Sequence, residues 1–179
     1  MGFLLKVSGL IDKLNDALGW IANWLVVGAC LISAANAMSR YAFDLSSNAW
    51  LEIQWYLFAG IVMLGASHTL KVNEHVRVDI LYTHLSERGK EWLDLIGTAL
   101  FLVPSMLVIA WYSIPFFMLS WHTQEISGNA GGLIRWPVKI LVPIGFTLVA
   151  LQGVSEVIKR AASLRGYVRY ETHYERPVQ

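Results

Sequence analysis

The sequence predicts an all-α membrane protein: one integral membrane domain over residues 1–179, four transmembrane helices, both termini inside, in a tilted, scaffold-type bundle. Three observations predict it. Hydrophobic residues make up 55% of the chain, above the share of an ordinary soluble domain. Charged residues, at 15%, are bunched, and no Asp, Glu, Lys or Arg falls within 17–39, 53–70, 95–121 or 140–155. Trp20, Trp24, Trp50, Trp92, Trp121 and Trp136 lie near the ends of these windows, where an interfacial aromatic belt belongs.

The spans follow in order at about 17–39, 50–70, 92–120 and 136–158, since about 20 apolar residues cross the hydrocarbon core. The third is too long for a perpendicular helix. At 1.5 Å per residue it reaches roughly 43 Å, so it tilts, projects or kinks, with Pro104 and Pro115 as the kink points. Between spans two and three lies a cytoplasmic connector, 71–91, and after span four a cytoplasmic tail, 159–179. Lys6, Lys13, Lys71, Arg77, Arg88, Lys90, Lys159, Arg160, Arg165, Arg169 and Arg176 fall on that side, against Arg40, Arg135 and Lys139 on the other. The imbalance puts both termini in the cytoplasm. An Ala35-Asn36-Ala37 triplet resembles a signal-peptidase site, but its apolar run exceeds the length of a signal core. Small residues recur at four-residue spacing in Ala29-Ser33-Ala37 and Gly65-Thr69, a pattern that lets helices approach closely in lipid.

Several function classes are disfavoured. A net charge of +1 with no Gly-rich phosphate loop gives nucleic acid no surface. Cys30 is the one cysteine, so neither an intrachain disulfide nor a Cys metal cluster can form. No ionisable residue falls near the middle of a span, where proton relays and solute sites place them, and no internal repeat is evident. The chain is therefore not expected to carry solute alone. Asn23, Ser33, Asn36, Thr98 and Gln152 read as helix-to-helix hydrogen-bonding groups. A membrane-anchor cytochrome is the alternative, although His68 and His122 fall at opposite ends of their spans. A small dimeric drug exporter would need the missing midplane acid.

The candidate residues lie at the span ends. In "KVNEHVRVDILY", His75 and Asp79 share a face if the segment is helical, with Glu74 beside them. Alternation of His75, Arg77 and Asp79 with Val76, Val78 and Ile80 reads instead as an interfacial connector, wet on one side. Arg40 and Glu52, a short loop apart, either pair or are hydrated separately. In "HTQEISGNAGGLIRWP", glycines mark turns that present Glu125, Ser127 and Arg135 to the outside.

"SRYAF", "WLEIQWYLFAGIVMLGASHTLKVNEHVRVDILYTHLS" and "QEISGNAGGLIRWPVKILVPIGF" resemble, in order and spacing, the small membrane subunit of tripartite ATP-independent periplasmic (TRAP) transporters, the DctQ-like family. The resemblance covers roughly residues 20–160, and implies a multi-pass protein of a bacterial inner membrane that is not an enzyme. In that family an obligate large membrane subunit carries the solute and sodium sites and moves as an elevator, and the small subunit braces it. A periplasmic substrate-binding protein docks transiently and delivers organic acids such as dicarboxylates, 2-oxo acids and sugar acids. No cofactor is implied in this chain, sodium coupling belonging to the large subunit; the other contacts are membrane lipid. Arg40, Glu52, Asn73, His75, Arg77 and Asp79 match family-pattern positions with structural or subunit-contacting roles. One departure is that relatives carry paired acids after the Trp of span two, whereas here the single Glu52 is followed by Ile53 and Gln54.

Overall fold

A computed structural model describes residues 2–45, 47–73 and 85–167. Four helices in it are long and apolar enough to cross a membrane, and no strand occurs among the described residues. Helix α1 (Gly2–Phe43) has 42 residues, roughly 63 Å by helical rise, and starts well before the expected span at 17. The early start has a physical cause. Ser8, Asn15, Gly19 and Ala22 recur on one face and are buried there, so the polar opening turns pack as part of the same helix.

Helix α2 (Asn48–Val72) begins where the Ser47 side chain accepts a hydrogen bond from the Ala49 amide. It ends at Asn73, in the left-handed region at φ 62°, whose N–H reaches back to the carbonyls of Leu70 and Thr69. Asn tolerates that conformation better than other non-glycine residues, so Asn73 is the residue that stops the helix.

The third span is one continuous helical stretch, Arg88–His122. It comprises α3 (Glu87–Gly97), a π-helical turn (Thr98–Leu102) and α4 (Val103–His122). Ser86 caps its start by accepting from the Gly89 amide. The irregularity expected at Pro104 appears just ahead of it, where the Val103 amide bonds to the Thr98 carbonyl, five residues back. The helix runs on through Pro115 without a break. A single turn, α5 (Trp136–Lys139), leads through Ile140 into α6 (Leu141–Leu164).

Packing is organised around α6. It touches α1, α2, α3 and α4, while α1 and α2 form a hairpin and α4 has no comparable contact with either of them. Few large apolar side chains are buried; the apolar core is Ala22, Ala110, Leu148, Ala150 and Ala162. Close approach comes from glycine instead. A Cβ on Gly145 of α6 would lie 2.9 Å from the Met63 carbonyl oxygen, and one on Gly153 would lie 2.7 Å from Val103 Cγ2 beside the π turn. In lipid, where tails are as apolar as leucine, such small-residue contacts replace a greasy core as the source of helix association. Gly65 does face α1, at Ala22, but Ser33 and Ala37 of the expected stripe are exposed; the packed stripe of α1 is Ser8, Asn15, Gly19 and Ala22.

Gly145→Val is therefore expected to lower the thermal midpoint in detergent, by an overpacking penalty of about 1–3 kcal/mol. Gly97→Ala, whose new methyl meets nothing within 4 Å, should leave the midpoint unchanged or raise it. Equal midpoints for Gly145→Val and the unaltered chain would refute the packing argument.

Candidate functional site

Polar side chains gather at the two ends of the bundle. At the end carrying residues 123–135, here the loop end, one carboxylate organises a hairpin. Glu52, in the first turns of α2, is 4% exposed. Its Oε1 accepts from the Ser127 hydroxyl and from Asn129 Nδ2 at 2.8 Å, and its Oε2 accepts from the Leu133 amide at 2.7 Å. The hairpin is closed by its own backbone, with Ser127 N to Leu133 O at 2.9 Å, Arg135 N to Glu125 O at 2.8 Å, and an isolated bridge between Ile126 and Ile134. Gly131 supplies the positive φ of 70° that the turn needs. Tyr56 and Asn48 add bonds from α2, the Tyr56 hydroxyl to the Ile134 carbonyl at 3.0 Å and Asn48 Nδ2 to the Ala130 carbonyl at 3.3 Å.

Beside it, Glu125 is bonded by Lys139 and, at 3.4 Å, by Arg135 Nη1. Lys139 Nζ also sits 4.3 Å from the Phe116 ring centroid, where the ring's negative face favours a cation. The Lys139 hydrogen bond holds the Glu125 carboxyl below the usual glutamate range, and Arg135 acts in the same direction. Trp121 and Trp136 meet edge to face at 4.5 Å across this end.

At the opposite end, where α1 starts and α6 stops, a buried network ties α1, α3 and α6 together. Asn15 Nδ2 donates to Gln152 Oε1 at 2.6 Å, and Gln152 Nε2 donates to Asp12 and to Glu156, both at 3.0 Å. Gln152 must present its NH₂ to the two carboxylates, so its oxygen faces Asn15, which fixes both amides. Ser155 donates to Asp12 at 3.0 Å, and its hydroxyl lies 2.7 Å from that of Ser8. Lys159 bridges Asp12 and Glu156, Arg160 Nη1 lies 2.6 Å from Asp94 Oδ2, and Ser163 donates to Glu91 at 3.0 Å. On the α1–α2 side, Asp16 takes Lys71 and lies 3.5 Å from His68 Nδ1.

The expected residues fall as follows. Glu52, Ser127, Glu125 and Arg135 come together at the loop end, and Asn73 caps α2. Arg40 is exposed at the end of α1, and Glu52 is buried and bonded to the hairpin, so neither open alternative, an Arg40–Glu52 pair or separate hydration, describes Glu52, which forms a clasp between α2 and the 123–135 loop. Glu74, His75, Arg77 and Asp79 lie outside the described residues. The sequence assigns Gln152 to a helix contact, where it is found, but not its partners Asp12, Asn15 and Glu156, nor Ser155 and Lys159, which bond those carboxylates. The signal was present as spacing, with Ser8, Asp12 and Asn15 on one helical face and Gln152, Ser155, Glu156 and Lys159 on another. His68 and His122 sit at opposite ends of the bundle, and among the described residues no three His, Cys, Asp or Glu gather as a metal site. Both clusters join elements distant in sequence, α1 to α6 in one and α2 to the 123–135 loop in the other.

The family described as tripartite ATP-independent periplasmic transporters, DctQ component, matches residues 29–163. The chain belongs to this family. Neither the curated proteins nor the solved structures give a match. As a DctQ component it is a transporter subunit and a multi-pass membrane protein, one part of a three-part assembly. The matched stretch includes the whole Glu52 clasp and the α6 half of the opposite network; Ser8, Asp12, Asn15 and Asp16 lie ahead of it.

Two outcomes are expected of this DctQ component. Glu52→Ala removes the acceptor of three bonds, so amide exchange at Ser127 and Leu133 should speed roughly tenfold or more while amides in the middle of α6 keep their protection. Glu125 has a depressed native pKa, so its contribution to stability is complete above the ordinary value of about 4.3 and is lost as the pH falls through the lower native value. The difference in thermal midpoint between the unaltered chain and Glu125→Gln should be constant from pH 7 to 5 and shrink toward zero in stronger acid.

Proposed function

We propose that this DctQ component is the non-catalytic small permease subunit of a sodium-coupled organic-acid importer in a bacterial inner membrane. It braces a large elevator-type membrane subunit, which holds the solute and sodium sites, and helps dock a periplasmic substrate-binding protein. Its solutes are carboxylates such as dicarboxylates, 2-oxo acids or sugar acids.

One observation carries the reading. Gln152, a fully buried polar side chain of α6, is engaged on both sides by other helices' and its own helix's groups, with Asn15 as donor and Asp12 and Glu156 as acceptors. Polar groups so engaged join helices and leave no open ligand set for a passing solute. A rigid joint at one end, a clasped hairpin at the other and a long helix, α4, seated only on α6 and its flanking turns suit a brace. The excess of Lys and Arg around the joint supports a cytoplasmic placement for it and a periplasmic one for the Glu52 clasp.

Purification from membranes should bring down a much larger multi-span protein with the chain. Reconstituted vesicles should take up carboxylate on a sodium gradient only when both membrane subunits and the binding protein are present. Sodium-driven uptake by this chain alone would overturn the division of labour.

A further inference from the structure

Because α2 and α4 flank α6 without packing on each other, a groove opens between them at the loop end, with α5 and α6 as its floor. It measures about 350 Å³, within the range of small-molecule sites. Its apolar lining includes Trp55, Ala59 and Met63 of α2, Phe116 of α4 and Val142 of α6. From Trp55 to Met63 the lining descends roughly 12 Å by helical rise into the bundle. The charged residues that line it are both cations, Arg135 and Lys139, and both belong to the loop end. Glu125 takes Lys139 directly and touches Arg135 only at 3.4 Å; Arg135 is 45% exposed. The Glu52 carboxylate is bonded by Ser127, Asn129 and Leu133 and acts on Arg135 through space without a direct bond to it.

We infer that this groove is a binding site for an anionic phospholipid of the leaflet at the loop end. The phosphate rests on Arg135, with Lys139 behind it, and an acyl chain lies along Ala59, Met63 and Val142. The order of chemistry selects this occupant: cations sit at the level of the Trp121–Trp136 pair and the apolar lining lies deeper, as a phosphate lies above its own chains. Guanidinium groups suit phosphate oxygens because they offer paired donors. A soluble carboxylate would leave the apolar length unused. Such a site requires only that the chain spans a membrane, and is independent of its role as a transporter brace.

Native mass spectrometry of the full-length chain, titrated with phosphatidylglycerol and with phosphatidylcholine of the same acyl chains, tests it. Phosphatidylglycerol should bind first and displace the zwitterionic lipid. Arg135→Gln should weaken phosphatidylglycerol about tenfold, as the loss of one charge-assisted contact implies, and Arg135→Lys should restore most of it. Ala59→Trp, which fills the groove, should exclude both lipids, and glycerol phosphate without chains should not compete. No preference between the lipids, unchanged binding in Arg135→Gln, or competition by glycerol phosphate would overturn the site.

Discussion

Helix α6 is the element on which the bundle depends, and the constraint it answers is that lipid supplies no hydrophobic force between helices. What remains is close packing and hydrogen bonding. Both are concentrated on α6. Toward its start Gly145 lets the backbone of α2 approach at Met63, and near its middle Gly153 receives the side chains of the π turn. From its middle to its end Gln152, Ser155, Glu156, Lys159 and Arg160 bind α1 and α3. The same helix is thus both a steric and a polar hub, beside the hairpin that α1 and α2 form with each other.

The polar joint centres on Gln152, whose oxygen and NH₂ group are both engaged, while Asn15 Oδ1 is buried without a hydrogen-bond partner. Hydrogen bonds are strengthened in a low-dielectric interior, so those that Gln152 makes hold their members in a single arrangement. Gln152 can face two carboxylates and one amide in only one orientation, and Lys159 supplies the positive charge that those carboxylates require. At the loop end a single acid plays the corresponding part. The two oxygens of Glu52 collect donors from three positions of the hairpin, so a glycine-rich segment with little core of its own has a fixed shape.

The two clusters also separate the roles a DctQ component can have. Neither presents an open set of ligands, and each joins elements distant in sequence, Asn15 to Gln152 and Glu52 to Leu133. The unpacked flank between α2 and α4 is the complementary feature, a surface left for lipid or protein by the way α6 stands between its neighbours.

By itself the sequence determined the class, the number of spans and the family resemblance, because charge-free apolar windows and interfacial Trp are local properties that lipid reads directly. It also placed Gln152 in a helix contact and Glu125, Ser127 and Arg135 in one loop. Tertiary structure decided who meets whom. Helical periodicity placed Asp12 and Asn15 on a face but could not say that α6 would lie against it, and Arg40 was as near to Glu52 along the chain as any partner. Pairing across more than a hundred residues depends on which helices can approach most closely. In a membrane that is settled by the positions of a few glycines and by the hydrogen bonds that buried polar groups find across helices.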